Sequence, residues 1–448
     1  MNINTRRIYL VIIFIIFLII APIILLYAIG YRYDLKRNKV VRVGVLYIKS
    51  TPESAYIYLN GNNINRETTA QITNLLPNEY QLELRKDGYY NWQKKITIYP
   101  EVATILKNVT LFKSDLSVEK LIQDIKQVKI SPKNDKVIYL INDSGADQLW
   151  TFDLNTKENK LIYVENSSNT INDFFWSPSA DNILVNFTTK NVNNYLIINL
   201  LNEKKVDLYQ LYKFNFENVI WDSDNENLIY GKFNNNIYQI NLLDSKTELI
   251  LNVNAINYLV KNNTIFYIAN DKNIFKLKYM NLIKKETNDL FNLDSSNYFL
   301  ILNEKTQFII VIDQNNQNVY LIDSSSNIYS YEKLNIKAKF VQFTDDMKKL
   351  LYYNDFEIGF YDFEKGENQI ITRTSNQINE AVWHPLEQDI IYLEENKLKV
   401  VEIEGPIRNM YDLLESKISN LIVDKNGRYV YFLAEDGNNK IFSRINIQ

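Results

Sequence analysis

The chain has 448 residues, of which 46% are hydrophobic and 13% aromatic, enough for large apolar cores. A net charge of −3 supplies no basic field for nucleic acid. The absence of cysteine excludes disulfides, thiolate metal sites and a cysteine nucleophile, and a lone histidine, His384, leaves almost no histidine-based metal or triad chemistry.

Residues 1–7 contain Arg6 and Arg7 and read as a cytoplasmic N-terminus. Residues 8–31 then run for 24 positions without a charge. At about 1.5 Å per residue such a helix reaches about 36 Å, enough for a hydrocarbon core of about 30 Å. Pro22 is a kink that membrane helices tolerate. The rival reading is a cleaved signal peptide with Ala28-Ile29-Gly30 as its small-x-small site. Secretory apolar cores run about 7 to 15 residues, and the greater length here favours an uncleaved anchor. Residues 32–43 read as a basic linker, with Arg32, Lys36, Arg37, Lys39 and Arg42 against Asp34. Counted literally, these cations place the large C-terminal part in the cytoplasm.

Residues 44–114 read as a small all-β module. Val45–Lys49, Ala55–Leu59, Tyr80–Leu84 and Lys95–Ile98 are strand-like, and Asn60-Gly61 is a strong two-residue hairpin signal. Lys86-Asp87-Gly88 marks another turn. The segment resembles the PEGA domain, a small surface-associated β-sandwich. Pro52-Glu53-Ser54-Ala55 stands for the family's namesake, with Ser54 in place of its Gly. Asn60-Gly61, Leu75-Leu76-Pro77 before Glu79-Tyr80, and Gly88-Tyr89 match as well. The family's Thr-Pro becomes Thr69-Ala70, and its Pro-Gly becomes Pro77-Asn78, where Asn is expected to take the left-handed conformation of Gly. The resemblance implies an extracytoplasmic module for surface or envelope attachment. That orientation opposes the flanking charge count.

Residues 115–448 carry a recurring phrase. It reads Val128–Pro132, Phe174–Pro178, Val219–Ser223 and Ala381–Pro385, with weaker copies near Val260, Asn303, Thr344 and Asp424. Taking Ile130, Trp176, Trp221, Leu259, Leu302, Phe343, Trp383 and Val423 as equivalent, the steps are 46, 45, 38, 43, 41, 40 and 40 residues. A period of about 40 to 50 residues is that of propeller blades. Polar hairpins recur once per unit: Asn142-Asp143, Asn193-Asn194, Asn234-Asn235, Asn270-Asp271, Asn315-Asn316, Asn354-Asp355, Glu395-Asn396 and Gly437-Asn438. Alternating third strands such as Leu149–Leu154 follow them, and outer strands are expected at Lys160–Val164 and Lys246–Leu251. Eight blades is the favoured count, and seven results if the units near Leu259 and Leu302 are one. The Trp-Ser-Pro phrases resemble the propellers of the TolB type, although Ser179-Ala180 and Leu386-Glu387 replace that family's Asp-Gly. The last unit shows three strands, so Leu116–Ile122 is expected to supply its outer strand and close the ring.

Trp176, Trp221 and Trp383 occupy one repeat position and read as blade packing. Trp92 and Trp150 fall outside that position and are the weak binding candidates. His384 reads as a turn residue, and Asp345-Asp346 and Asp143 with Asp147 as solvated turns. The run Asp222–Glu226 fails the calcium-loop test, because Asn227 and Phe233 stand where Gly and Glu are required. No phosphate-cradling glycine motif occurs. No catalytic residue, cofactor or metal is expected. The favoured reading is an all-β, membrane-anchored extracytoplasmic scaffold whose propeller recognises an envelope protein or glycan. The alternatives are a glycan hydrolase or lyase using channel carboxylates and a cytoplasm-facing interaction propeller.

Overall fold

A computed structural model describes residues 3–35, 37–165, 169–302, 306–325, 329–405, 407–437 and 439–448, with side chains from residue 9 onward. Lys36, Asn303, Asn438 and the side chains of Arg6 and Arg7 lie outside the described residues. The chain divides into two compact units. The first takes in residues 1–116, 400–413 and 446–448; the second takes in 117–399 and 414–445.

The first unit begins with helix α1, Ile3–Ala28. Its stretch Tyr9–Ala28 is, among the described residues, the one helix long and apolar enough to cross a membrane. The helix stops three residues before Tyr31, because Gly30 turns to φ +90°, a conformation that glycine adopts without a Cβ penalty. The residues read as a linker form a hairpin instead: β1 (Tyr31–Asp34) pairs antiparallel with β2 (Lys39–Arg42). Alternation of aromatic and charged residues in Tyr31–Asp34 suits a two-faced strand better than a coil.

Seven strands follow: β3 (Gly44–Thr51), β4 (Tyr56–Leu59), β5 (Asn62–Glu67), β6 (Ala70–Leu75), β7 (Asn78–Arg85), β8 (Trp92–Ile98) and β9 (Ala103–Thr110). They form two sheets, ordered β6-β3-β9 and β5-β4-β7-β8, with β3 and β9 parallel. Inward residues alternate along β3 and β7, and Leu46, Ile48, Ile57, Leu82, Leu84 and Ile96 share one core. Asn60 and Gly61 both have positive φ, 50° and 79°, as a tight hairpin turn demands. Ser54 also has φ +61°, which explains why glycine suits that place. Asn78 does not take the left-handed conformation expected of it; it opens β7, and Asn74 before it has φ +65°. Within this unit Tyr411 stacks on Tyr90 at 4.7 Å, and the Lys94 ammonium lies 2.7 Å from the Glu402 carboxylate. Chain order gave no signal for either partnership.

In residues 118–446 the described residues form eight four-stranded sheets. By residue range they are I (125–165), II (169–207), III (218–252), IV (255–293), V (298–337), VI (340–373), VII (378–415) and VIII (418–446 with 118–122). Leu259 and Leu302 therefore fall in different sheets, IV and V. Val118–Ile122 pairs antiparallel with Asn439–Asn446, so the start of the repeat region supplies the outer strand of its last sheet. Consecutive sheets share apolar clusters: Ile138 and Phe174 join I to II, Leu184 and Val219 join II to III, and Ile312 and Tyr352 join V to VI. Tyr139 packs with Tyr431 and Phe442, which brings VIII back onto I. This is a closed β-propeller.

Two features depart from the expected turns. Sheet IV replaces the anchor turn by Asn262-Asn263, at φ 49° and 54°, which shortens that unit and hides the phrase. In sheets I, II and IV the second hairpin lies two or three residues from its expected place: Ser144-Gly145, Lys190-Asn191 and Lys272-Asn273 turn with positive φ. The Asn-rich pairs chosen there, such as Asn142-Asp143, are strand residues.

Candidate functional site

The anchor phrase builds a wide turn at the end of the first strand. Ser131, Ser177, Asp222, Thr344, His384 and Asp424 occupy one position in it, each with its N–H donating across the turn to the carbonyl that opens the second strand. All six are buried. Five satisfy backbone N–H groups of the same turn through side-chain oxygen: Ser131 Oγ accepts from Lys136, Ser177 Oγ from Asn182, Asp222 from Asp224, Thr344 Oγ1 from Lys349 and Asp424 from Tyr429. His384 does this with Nδ1, which accepts from Leu386 N–H, while Nε2 lies 3.1 Å from the Gly427 carbonyl and donates to it. Burial pushes its pKa down to about 4, so the ring is neutral. A Cβ on Gly427 would lie 2.3 Å from Nε2, so this neighbour has to be glycine. The histidine is a turn cap. A polar residue directly after the tryptophan position was the signal that could have found all six.

The tryptophans bind one sheet to the next. Trp176 Nε1 donates to the Lys129 carbonyl at 3.2 Å, and Trp383 Nε1 donates to the Gln342 carbonyl at 3.2 Å, in each case across to the first strand of the preceding sheet. Trp221 packs at the same place in sheet III, and its Nε1 has no hydrogen-bond partner among the described residues. Trp92 is not a surface platform: it is 3% exposed, inside the sandwich core. Trp150 is half-buried, stacks on Tyr139 at 6.5 Å and donates to Gln148 Oε1. The Pro52-Glu53-Ser54-Ala55 stretch is structural in placement: Ala55 is in the core, and the Glu53 carbonyl accepts from Lys86 Nζ.

The first strands of sheets I, VI, VII and VIII converge on two adjoining cavities of about 500 and 560 Å³, which share Ile130, Val382, Leu421 and Ile422. The larger is walled by Lys129, Phe340, Tyr353, Asn379, Glu380 and Asn420. Lys133, Asp345, Glu387 and Lys425 from the anchor turns line the other. Two of the carboxylates that reach these walls are engaged by backbone. Glu380 accepts from the Asn420 and Leu421 N–H groups at 2.7 Å, and Glu387 accepts from Asp345 N–H at 2.7 Å. Burial, with the charges of Asp346 and Asp345, raises the Glu387 pKa. Phe340 is an exposed ring on the wall, tilted against Tyr353 at 5.9 Å. An aromatic ring beside amides and a lysine suits recognition of a partner with both apolar and polar faces.

Asp224 Oδ2 accepts from Asn262 N–H, and Asp346 Oδ1 accepts from Lys348 N–H. Asp147 is not the solvated turn residue expected of it: it is a buried strand residue that accepts from Ile171 N–H and the Lys126 ammonium. Among the described residues no group of three or more His, Asp or Glu side chains is arranged to hold a metal ion.

Residues 43–113 match the PEGA domain. The PEGA sandwich is thus recognised independently of its two-sheet architecture. Most of the chain, between 70% and 86% of it in the matches described next, is similar in fold to solved propeller proteins. A structure described as the eukaryotic initiation factor shares 10% identity at a TM-score of 0.50, covering 86% of this chain and 90% of its own. Dipeptidyl peptidase 4 of Porphyromonas gingivalis shares 8% at 0.52, covering 73% of this chain and 58% of its own. Oligogalacturonate lyase in complex with manganese shares 10% at 0.42, covering 70% of this chain and 97% of its own. At such identities the likeness concerns the fold alone. No curated protein matches the sequence.

Proposed function

We propose that this chain is a membrane-anchored binding or scaffold protein of the cell envelope. The apolar helix holds it at the membrane, the PEGA sandwich serves as spacer or envelope contact, and the propeller recognises an envelope protein or glycan. The observation that carries the reading is the modular order: an apolar helix over Tyr9–Ala28, a PEGA domain at 43–113, then a propeller. The wall of Phe340, Tyr353, Lys129, Asn379 and Asn420 is the recognition surface. The role is non-enzymatic in this reading.

The extracytoplasmic side rests on the PEGA match. Two of the flanking cations have a structural occupation: Arg32 lies 3.4 Å from the Tyr27 ring centroid, and Arg42 pairs with Glu101 at 2.6 Å. The chain has no cysteine, so a single Ser144→Cys gives a label without background. A membrane-impermeant maleimide is expected to modify it on intact cells. Modification only after lysis overturns the placement. Capture of a partner by the full chain from detergent-solubilised envelopes, lost on Phe340→Ala, is the expected sign of recognition at the cavity; equal capture by both rejects that surface.

A further inference from the structure

The hairpin β1–β2 has a surface that the fold itself does not use. In its register Tyr33 faces Val40, so both side chains lie on one face, and both are 54% exposed. Leu35, in the turn, is 84% exposed. Tyr27 and Ile29, at the end of α1, are exposed as well. Five exposed apolar or aromatic side chains thus lie between Tyr27 and Val40, an exposure that water disfavours. Arg37 and Lys39 flank it, and both are exposed. Arg37 sits 3.8 Å from Asp34, while Lys39 has no ion pair among the described residues.

The hairpin is fixed to the helix end. Val43 N–H donates to the Gly30 carbonyl at 3.0 Å, and the Arg32 guanidinium donates to the Tyr27 carbonyl at 2.7 Å and to Asn74 Oδ1 at 2.8 Å. Its position relative to a bilayer then follows from length. Tyr9–Ala28 is 20 residues, about 30 Å at about 1.5 Å per residue, which the hydrocarbon core consumes. The next residues enter the headgroup layer, roughly 5–8 Å deep on each side. A four-residue strand, about 10 Å long at about 3.3 Å per residue, fits that layer lying obliquely. Tyrosine prefers this layer, and anionic headgroups attract lysine and arginine near it.

We infer that the β1–β2 hairpin is a membrane-surface collar: Tyr33, Leu35 and Val40 enter the headgroup–acyl boundary, and Arg37 and Lys39 meet anionic lipid headgroups. This rests on the anchor reading above. The collar sets the height at which the sandwich begins, since β3 starts two residues after β2.

Spin labels on single cysteines of the full chain, in nanodiscs of phosphatidylcholine with or without phosphatidylglycerol, test it. The label at Leu35→Cys is expected to show oxygen-over-nickel accessibility between that of Ile16→Cys, deep in the span, and Lys284→Cys, on an exposed turn. Leu35 reading like Lys284 while Ile16 reads deep overturns the collar and leaves the anchor intact. Ile16 reading as aqueous overturns the anchor, and the collar with it. Adding Lys39→Glu is expected to move the Leu35 label toward water in nanodiscs containing phosphatidylglycerol and not in phosphatidylcholine alone. Indifference to lipid charge rejects the headgroup contact. A Leu35 signal that follows protein concentration instead of lipid overturns the collar in favour of self-association.

Discussion

The PEGA sandwich and the propeller bury tryptophan in opposite ways. Trp92 lies inside a single core between two sheets. Trp176 and Trp383 lie between sheets, each tied by Nε1 to a carbonyl of the preceding one. The sandwich has one apolar centre, so it stands or falls as a whole. The propeller has a succession of clusters between consecutive sheets in place of one centre. Stability in the second case depends on closing the circle, because an open ring leaves a strand edge and an unpaired apolar face.

The largest expected effect breaks that closure. Deleting 116–122 removes the strand paired with Asn439–Asn446 and is expected to lower the melting temperature by on the order of 10 °C. An unchanged melt shows that the other seven junctions suffice. Next, Trp383→Ala and Trp92→Ala each remove a buried indole, at about 3–5 kcal/mol. Chemical denaturation is expected to show Trp150→Ala costing clearly less than either, since that ring is only half-buried. Equal losses at all three positions would erase the distinction between core, junction and surface ring.

His384 sharpens the comparison through pH. It is neutral in the fold with its pKa near 4, whereas the unfolded chain takes up a proton near the ordinary value of 6.5. Below that value the unfolded state binds the additional proton, so stability is complete above pH 6.5 and falls as pH drops toward 4, by about 3 kcal/mol in full. Denaturation midpoints at successive pH values are expected to show this loss beginning above the carboxylate range, and His384→Asn is expected to remove that early part. A wild-type midpoint that is flat until carboxylates titrate contradicts the buried neutral cap.

Smaller effects follow at one site in each region. Arg444 is buried, with Nε 2.7 Å from Glu119 Oε2 on the closing strand, while Glu119 itself is half-exposed. Solvent screening discounts the pair, and Glu119→Gln is expected to cost about 1 kcal/mol in urea unfolding. In the sandwich, Ser54→Gly relieves a left-handed serine at φ +61° and is expected to stabilise by up to about 1 kcal/mol. A destabilised Ser54→Gly chain would show that the serine contributes more than its backbone strain takes away.

Much of this was legible in sequence, for identifiable reasons. The strands of the sandwich, the repeat period and the closing strand were readable because alternation and spacing are local properties. The positions of three hairpins were missed because Asn marks a turn only approximately: Lys190 and Lys272 adopt positive φ at 49° and 52° when register requires it. The fourth anchor turn was legible only as a weak copy near Val260, because Asn262-Asn263 shortens it. The hairpin after α1 reads as a linker in sequence because its strands are four residues each, too short for alternation to stand out among the charges. The cavity was not legible at all: Lys129, Phe340, Glu380 and Asn420 come from four sheets and meet only after the ring has closed.

The sequence by itself determined the modules, because an uncharged apolar run, a two-residue turn signal and a regular anchor phrase each act through neighbouring residues. Tertiary structure alone decided what the conspicuous residues do. Whether an indole is core, cement or platform depends on which sheet faces it, and whether a histidine is reactive depends on the carbonyl and the glycine packed against it. Those partners lie 47 residues away for Trp176, 41 for Trp383 and 43 for His384. A contact at that separation is fixed by ring closure and packing, which no local pattern encodes.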